Sequence, residues 1–172
     1  MTHPTTASVL ISLGERRPLY VAHGLEDHEI AIVEEALQVL GRHMAPGKRL
    51  LDSSEVARDF VTLLLAPLER EMFGVLWLDA GNRVITHELA ATGSTRQLVV
   101  YIRNIVKRGL EVNACAAIVF HNHPSGVCEP SDTDKRLTTA LDQALALVDI
   151  KLLDHILVAG AGCMSFAQRG LL

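Results

Sequence analysis

The residues with the clearest chemical potential lie in one short stretch, Phe120-His121-Asn122-His123-Pro124-Ser125-Gly126, followed by Pro130-Ser131-Asp132-Thr133-Asp134. The apolar run Ala114–Phe120 is bounded by polar loops and reads as a buried strand. That places both imidazoles of the His-x-His pair in the loop just beyond the strand end. Asp134 falls in the first turn of the following helix and can point back at them. Two imidazoles and a carboxylate form a three-ligand set that leaves the fourth position of a tetrahedral zinc ion open to water, whereas structural zinc sites favour four protein ligands, usually with cysteine. Each part has a plainer reading. Histidines near a turn are commonly surface residues, and Ser131 to Asp134 is also an ordinary capping box whose acid is favoured by the helix dipole. The metal reading gains from the loop between them, which is polar and shaped by Pro and Gly just where an apolar strand has delivered it to one edge of a sheet.

Several elements must carry this stretch. Ile30, Val33, Ala36, Leu37 and Leu40 recur three and four apart and predict an amphipathic helix from Glu26 to Met44, broken by Ala45-Pro46-Gly47-Lys48. Asp52-Ser53-Ser54-Glu55 reads as an N-cap and capping box opening a helix that ends near Pro67. Met72–Asp79 and Arg83–Leu89 flank the turn residues Ala80-Gly81-Asn82 and predict a hairpin. After the loop Thr92-Gly93-Ser94-Thr95 a helix is expected to run to about Gly109, with Leu98, Ile102, Ile105 and Val106 on one face. Ser131 opens another helix lasting to about Val148, and Leu152–Ala159 and Met164–Ala167 read as strands around Gly160-Ala161-Gly162. Helices and strands alternate after residue 50, which predicts a three-layer α/β or α+β domain around one sheet. Residues 1–26 show little sign of regular structure.

Composition narrows the function classes. The chain has 172 residues, 49% of them hydrophobic and 21% charged, which suits one compact domain. No apolar run reaches the roughly 18 residues of a membrane span, and the opening segment does not read as a signal peptide. Three widely spaced cysteines, Cys115, Cys128 and Cys163, give no disulfide framework and suit a reducing cytoplasm. A formal net charge of −4 argues against a broad phosphate-binding surface.

The spacing His121-x-His123-x(7)-Ser131-x(2)-Asp134 resembles the signature of the Jab/MPN (JAMM) metallopeptidases. The surrounding words are similar to the bacterial RadC branch of that group: Leu78-Asp79 with Asn82-Arg83, Thr92-Gly93-Ser94, Asn113-Ala114, the His121–Gly126 stretch, Leu153-Asp154-His155-Ile156 and Gly170-Leu171-Leu172. The likeness covers roughly residues 50–172, leaving 1–49 as an extension with one helix. It implies a cytidine-deaminase-like α/β fold, a Zn2+ ion on His121, His123 and Asp134, and hydrolysis of an amide or isopeptide bond in a peptide or protein. It also implies an upstream glutamate as general base and then acid, matched to Glu88 in Thr86-His87-Glu88, and a serine, Ser131, aiding the oxyanion. Glu69, Glu71, Glu111 and Glu129 are rivals for the base by type.

Two departures stand out. The family's aromatic-Pro-Arg-Glu stretch is replaced by Tyr101-Ile102-Arg103-Asn104, which should alter a helix start near the site. The paired hairpins of a helix-hairpin-helix region are not found in residues 1–50, so duplex DNA binding should be weak or absent. A non-enzymatic accessory role in DNA repair or replication is the competing reading. Nucleobase deamination is disfavoured because the deaminase H-x-E and P-C-x-x-C pattern is missing. His155, in an apolar strand, reads as a satisfied structural histidine before a fourth ligand, and Cys128 as a bystander thiol. His87 should face away from Glu88, Trp77 should be core, and His3, His23, His28 and His43 should be solvated.

Overall fold

A computed structural model describes residues 26–43, 46, 54–93 and 98–172. Helices α1 (Asp27–His43) and α2 (Ser54–Leu65) precede the hairpin β1 (Met72–Leu78) and β2 (Val84–Thr92). Then come α3 (Ile102–Glu111), β3 (Ala116–Asn122), α4 (Asp132–Ala146), β4 (Lys151–Ala159) and β5 (Gly162–Ser165). The five strands form one sheet in the order β2-β1-β3-β4-β5. Only β3 and β4 run parallel, because α4 carries the chain back between them; the other pairs are antiparallel.

The sheet is covered on both faces. On one, α2 packs Ala57, Phe60, Val61 and Leu65 against Leu76, Leu78, Ile118, Phe120, Ile156 and Val158, with Leu37 and Leu40 of α1 behind. On the other, Ile105 of α3 and Leu141 and Leu145 of α4 meet Phe73, Val75, Trp77, Ala117 and Val119. Coverage on both faces explains why β1 and β3 are buried at every position and read as unbroken apolar runs. The α/β architecture read from the sequence is the one found. At the hairpin, the Asp79 carboxylate accepts from the backbone N–H groups of Gly81 and Arg83, both at 2.8 Å, while Asn82 takes a left-handed conformation.

Three expectations about these elements need comment. The capping residues placed before α2 lie outside the described residues, as do His3 and His23 and most of the break after α1. Helix α3 starts at Ile102, later than expected from the Thr95 loop. Leu98, Val99 and Val100 precede it without regular structure, and Tyr101 takes the N-cap position in an extended conformation with no side-chain cap bond. β-Branched and aromatic side chains gain little from a helix, so apolar periodicity alone set that start too early. Strand β3 continues two residues beyond Phe120, so His121 and Asn122 are strand residues, not loop residues.

Candidate metal centre

The candidate site sits where the parallel pair β3–β4 ends and α4 begins. His121 pairs with Phe73 of β1 on one side and Leu157 of β4 on the other. The His123 N–H prolongs the parallel ladder by donating to the Val158 carbonyl at 2.8 Å. Because side chains alternate along an extended chain, His121 and His123 project together while Asn122 projects to the opposite face. The chain then turns at once. The Gly126 N–H donates to the His123 carbonyl at 3.0 Å, and Gly126 has φ 77°, a conformation that suits glycine.

Asp134 approaches from α4. Ser131 is the N-cap and forms a full capping box with it: the Ser131 hydroxyl accepts from the Asp134 N–H, and the Ser131 N–H donates to Asp134 Oδ2 at 2.7 Å. The Ser131 hydroxyl also donates to Oδ2, at 2.6 Å. Oδ2 thus takes both Ser131 bonds, and Oδ1 takes neither. The capping box is present, and it holds the carboxylate against the two imidazoles.

The three side chains meet. His121 Nε2 lies 3.2 Å from His123 Nε2 and 3.4 Å from Asp134 Oδ1, and His123 Nε2 lies 3.4 Å from Oδ2. Taking one atom from each residue, the three lie within 4.8 Å of one another. Ligands about 2.0–2.2 Å from a tetrahedral zinc ion are about 3.3–3.6 Å apart; the His–His separation and each imidazole–carboxylate separation come close to that, the two imidazoles facing different oxygens of Asp134. The His123 Nδ1–H donates to the Val127 carbonyl at 3.0 Å, which leaves its Nε2 lone pair facing the cluster. His121 is nearly fully buried, and His123 and Asp134 keep a limited exposure, so the cluster opens to solvent on one side.

At the cluster, protons and a metal compete for the same atoms: a proton on an imidazole Nε2 takes the position a metal would take. Burial alone would raise the Asp134 carboxyl, but hydrogen bonds from His121, His123 and Ser131 outweigh it and hold the group far below the usual carboxylate range. His123 is raised, first by its hydrogen bond to Asp134, against the opposing effect of burial, and further by the Val127 carbonyl and the charges of Asp134 and Glu71.

The structure does not bring Glu88 to this cluster. It pairs across the sheet with Val75, while His121 lies level with Phe73 and Ala91. Its carboxylate accepts from Trp77 Nε1 at 2.9 Å and from Arg108 Nε at 3.1 Å through both oxygens. Those bonds tie its carboxylate to Trp77 and to α3, where a place beside the metal was expected. Glu129 is an exposed partner of Arg169 at 2.8 Å, and Glu111 pairs with Lys107 and Arg108. Of the rival acids, Glu71 has its charge felt at a candidate ligand, His123. It stands one residue before β1, in a segment held from the far face of β3: the Asn122 side chain accepts from the Met72 N–H at 2.8 Å and donates to the carbonyls of Leu68 and Arg70. The Gly93 N–H donates to the Glu71 carbonyl at 2.7 Å.

The Ser131 hydroxyl spends its proton on Asp134, so its bonds support orienting the carboxylate in place of the expected oxyanion role. His155 is not in the ligand cluster; its Nε2 lies 2.8 Å from His121 Nδ1. Cys128 packs against Leu157, Met164 and Phe166, away from the three ligands. Trp77 is core, and His87 faces away from Glu88, edge-on to Phe60 with ring centroids 5.1 Å apart. His28 is exposed.

Residues 51–171 match the family described as RadC-like JAB domain. Among curated relatives, a UPF0758 protein of Methylibium petroleiphilum is 46% identical over 142 residues, covering 83% of this chain and 64% of the relative. UPF0758 protein YkfG of Escherichia coli K12 is 45% identical over 141 residues, covering 82% of this chain and 89% of the relative. UPF0758 protein YfjY of the same strain is 46% identical over 140 residues, 81% and 88% of the two chains. The chain thus spans less than two thirds of the Methylibium protein and most of the two from Escherichia coli. It belongs to the RadC family and carries its JAB domain.

Proposed function

We propose that this chain is a zinc-dependent metallohydrolase that cleaves an amide or isopeptide bond in a peptide or protein. The observation that carries the reading is the convergence of His121 Nε2, His123 Nε2 and the Asp134 carboxylate, whose Oδ1 takes no Ser131 bond, with one side open. A zinc ion with three protein ligands acidifies a water molecule and polarises a carbonyl. The protein's own residues supply the rest. His121 and His123 present bare Nε2 atoms, Ser131 holds Asp134 by its other oxygen, and the buried floor excludes bulk water from one side.

With Glu88, the residue matched by the family resemblance, as the alternative, Glu71 is the general base in this reading. It takes the proton from the attacking water and returns it to the departing amine. Asn122 fixes the backbone on either side of it, so the base and the ligands are set by the same strand. No helix among the described residues is long and apolar enough to cross a membrane, and all three cysteines are free thiols, which supports a cytoplasmic setting.

The test uses metal-reconstituted protein. Elemental analysis should find about one zinc per chain, and His121→Ala should retain much less. With a cleavable amide substrate in hand, Glu71→Gln should keep its zinc and lose about 10²–10⁴-fold in kcat. Wild-type protein without stoichiometric zinc ends the metallohydrolase reading. A fully active, zinc-loaded Glu71→Gln ends the assignment of the base.

A further inference from the structure

Behind His121 lies a chain of buried polar groups that the proposed reaction does not use. Thr138 sits one helical turn after Asp134, and its hydroxyl lies 2.7 Å from the Asp134 carbonyl oxygen. The same hydroxyl is 2.6 Å from His155 Nδ1, and His155 Nε2 is 2.8 Å from His121 Nδ1. Thr138 and His155 are fully buried and His121 nearly so.

We infer that Thr138 and His155 are positioning residues, a directional hydrogen-bond relay that fixes the tautomer and orientation of His121; this rests on the metal reading of the site. The direction follows from one fact: a carbonyl only accepts. The single Thr138 hydroxyl proton goes to the Asp134 carbonyl, so toward His155 the oxygen accepts, and His155 Nδ1 carries a proton. A neutral imidazole with Nδ1–H has a bare Nε2, which accepts from His121 Nδ1–H. His121 is then left with a bare Nε2 directed at His123 and Asp134. Turning the His155 ring over would set carbon atoms against both partners and strand two buried polar groups.

The ring of His155 is held against such a turn. Phe166 stacks on it with centroids 4.5 Å apart and planes 16° apart, and Phe73 meets it edge-on at 6.0 Å. The two candidate imidazole ligands are therefore prepared by separate devices, His123 by a loop carbonyl and His121 through the core. The relay also begins on the backbone of Asp134, so the residue that offers the carboxylate helps to aim the opposite imidazole. Outer-shell partners of this kind change metal affinity by about 10–100-fold when removed.

The experiment measures zinc affinity by competition with a chromogenic chelator, together with ring-nitrogen NMR of 15N-histidine-labelled full-length protein loaded with zinc. Thr138→Val is nearly isosteric and should bind zinc about 10–100-fold more weakly, and Thr138→Ser should recover most of the loss. In the wild type, His155 should be protonated at Nδ1 and bare at Nε2, with His121 protonated at Nδ1. An Nε2-protonated His155 overturns the relay. So does a folded Thr138→Val whose zinc affinity stays within about twofold of wild type against the change expected of an outer-shell partner. The tautomer measurement needs no variant, so a misfolded Thr138→Val leaves the question decidable. Failure of the metal reading looks different: wild-type protein itself takes up no zinc, and the positioning role falls with it.

Discussion

Replacing Glu88 separates a structural carboxylate from a catalytic one. Its side chain is 10% exposed, and it serves two donors: the indole N–H of fully buried Trp77, and Arg108, which is 34% exposed. In Glu88→Ala the indole N–H loses its acceptor, which costs about 1–3 kcal/mol. Breaking a fully buried ion pair costs about 3–5 kcal/mol, but Arg108 reaches solvent and recovers much of that. A total near 2–4 kcal/mol follows for the alanine variant. Glu88→Gln keeps an oxygen for Trp77 and loses only the charge, for about 1–2 kcal/mol. For a domain of this size each kcal/mol moves Tm by about 2–4 °C, so the alanine variant should melt roughly 5–15 °C lower. Thermal unfolding followed by circular dichroism, paired with zinc stoichiometry, reads both quantities. Zinc content should not change in either variant. If Glu88→Gln instead melts like the wild type and loses about 10²–10⁴-fold in kcat, the ion pair is incidental and Glu88 is the base after all.

Three further expectations can be checked independently. A Cβ at Gly74 would overlap the ring of fully buried Phe120 and press on the Glu88 carbonyl oxygen; Gly74→Ala should cost about 1–3 kcal/mol in urea unfolding, and an unchanged midpoint would refute the close approach. Burial pushes His87 below its ordinary value of 6.5, against the pull of the Glu88 charge. Below pH 6.5 the unfolded chain therefore binds more protons at this residue than the folded one, and stability falls with pH until the lowered value is passed. Metal-free His87→Gln should show a shallower loss between about pH 7 and 5 than the wild type, and equal slopes would sink the point. Duplex DNA should bind weakly at about 150 mM salt, the net charge being −4; submicromolar affinity by fluorescence anisotropy would favour a repair-accessory role instead.

Much of this candidate site was legible because its three residues are local. One strand end, one turn and one helix start carry all three, so their spacing in the chain translates directly into spacing in space. The partners of Glu88 were harder to read. Which β2 residue lies level with His121 depends on the register of two strand pairs, and register is invisible in a single sequence. Two signals pointed the right way. A buried Trp77 needs an acceptor for its indole N–H, and a carboxylate on the partner strand is the natural one. Glu71, at the polar lead-in to β1, required only that β1 lie antiparallel to β3, with Phe73 opposite His121. The later start of α3 was hidden because Leu98 shares the apolar spacing of the helix that follows it.

The three bonds made by Asn122 carry a consequence for assembly. In the proposed reading the metal ligands belong to a continuous β3–α4 segment, whereas Glu71 arrives from the lead-in to β1, far earlier in the chain. A partly folded molecule with β3 and α4 in place could capture an ion while still lacking its proton acceptor. Asn122 lies between the two histidines, yet its amide is satisfied only when residues 68–72 have docked on the other side of the sheet. Until then it is a polar group facing an apolar layer. In the proposed reading, completion of the hydrolytic centre and burial of that amide are therefore the same event, and an immature chain that held metal would remain inert toward its neighbours.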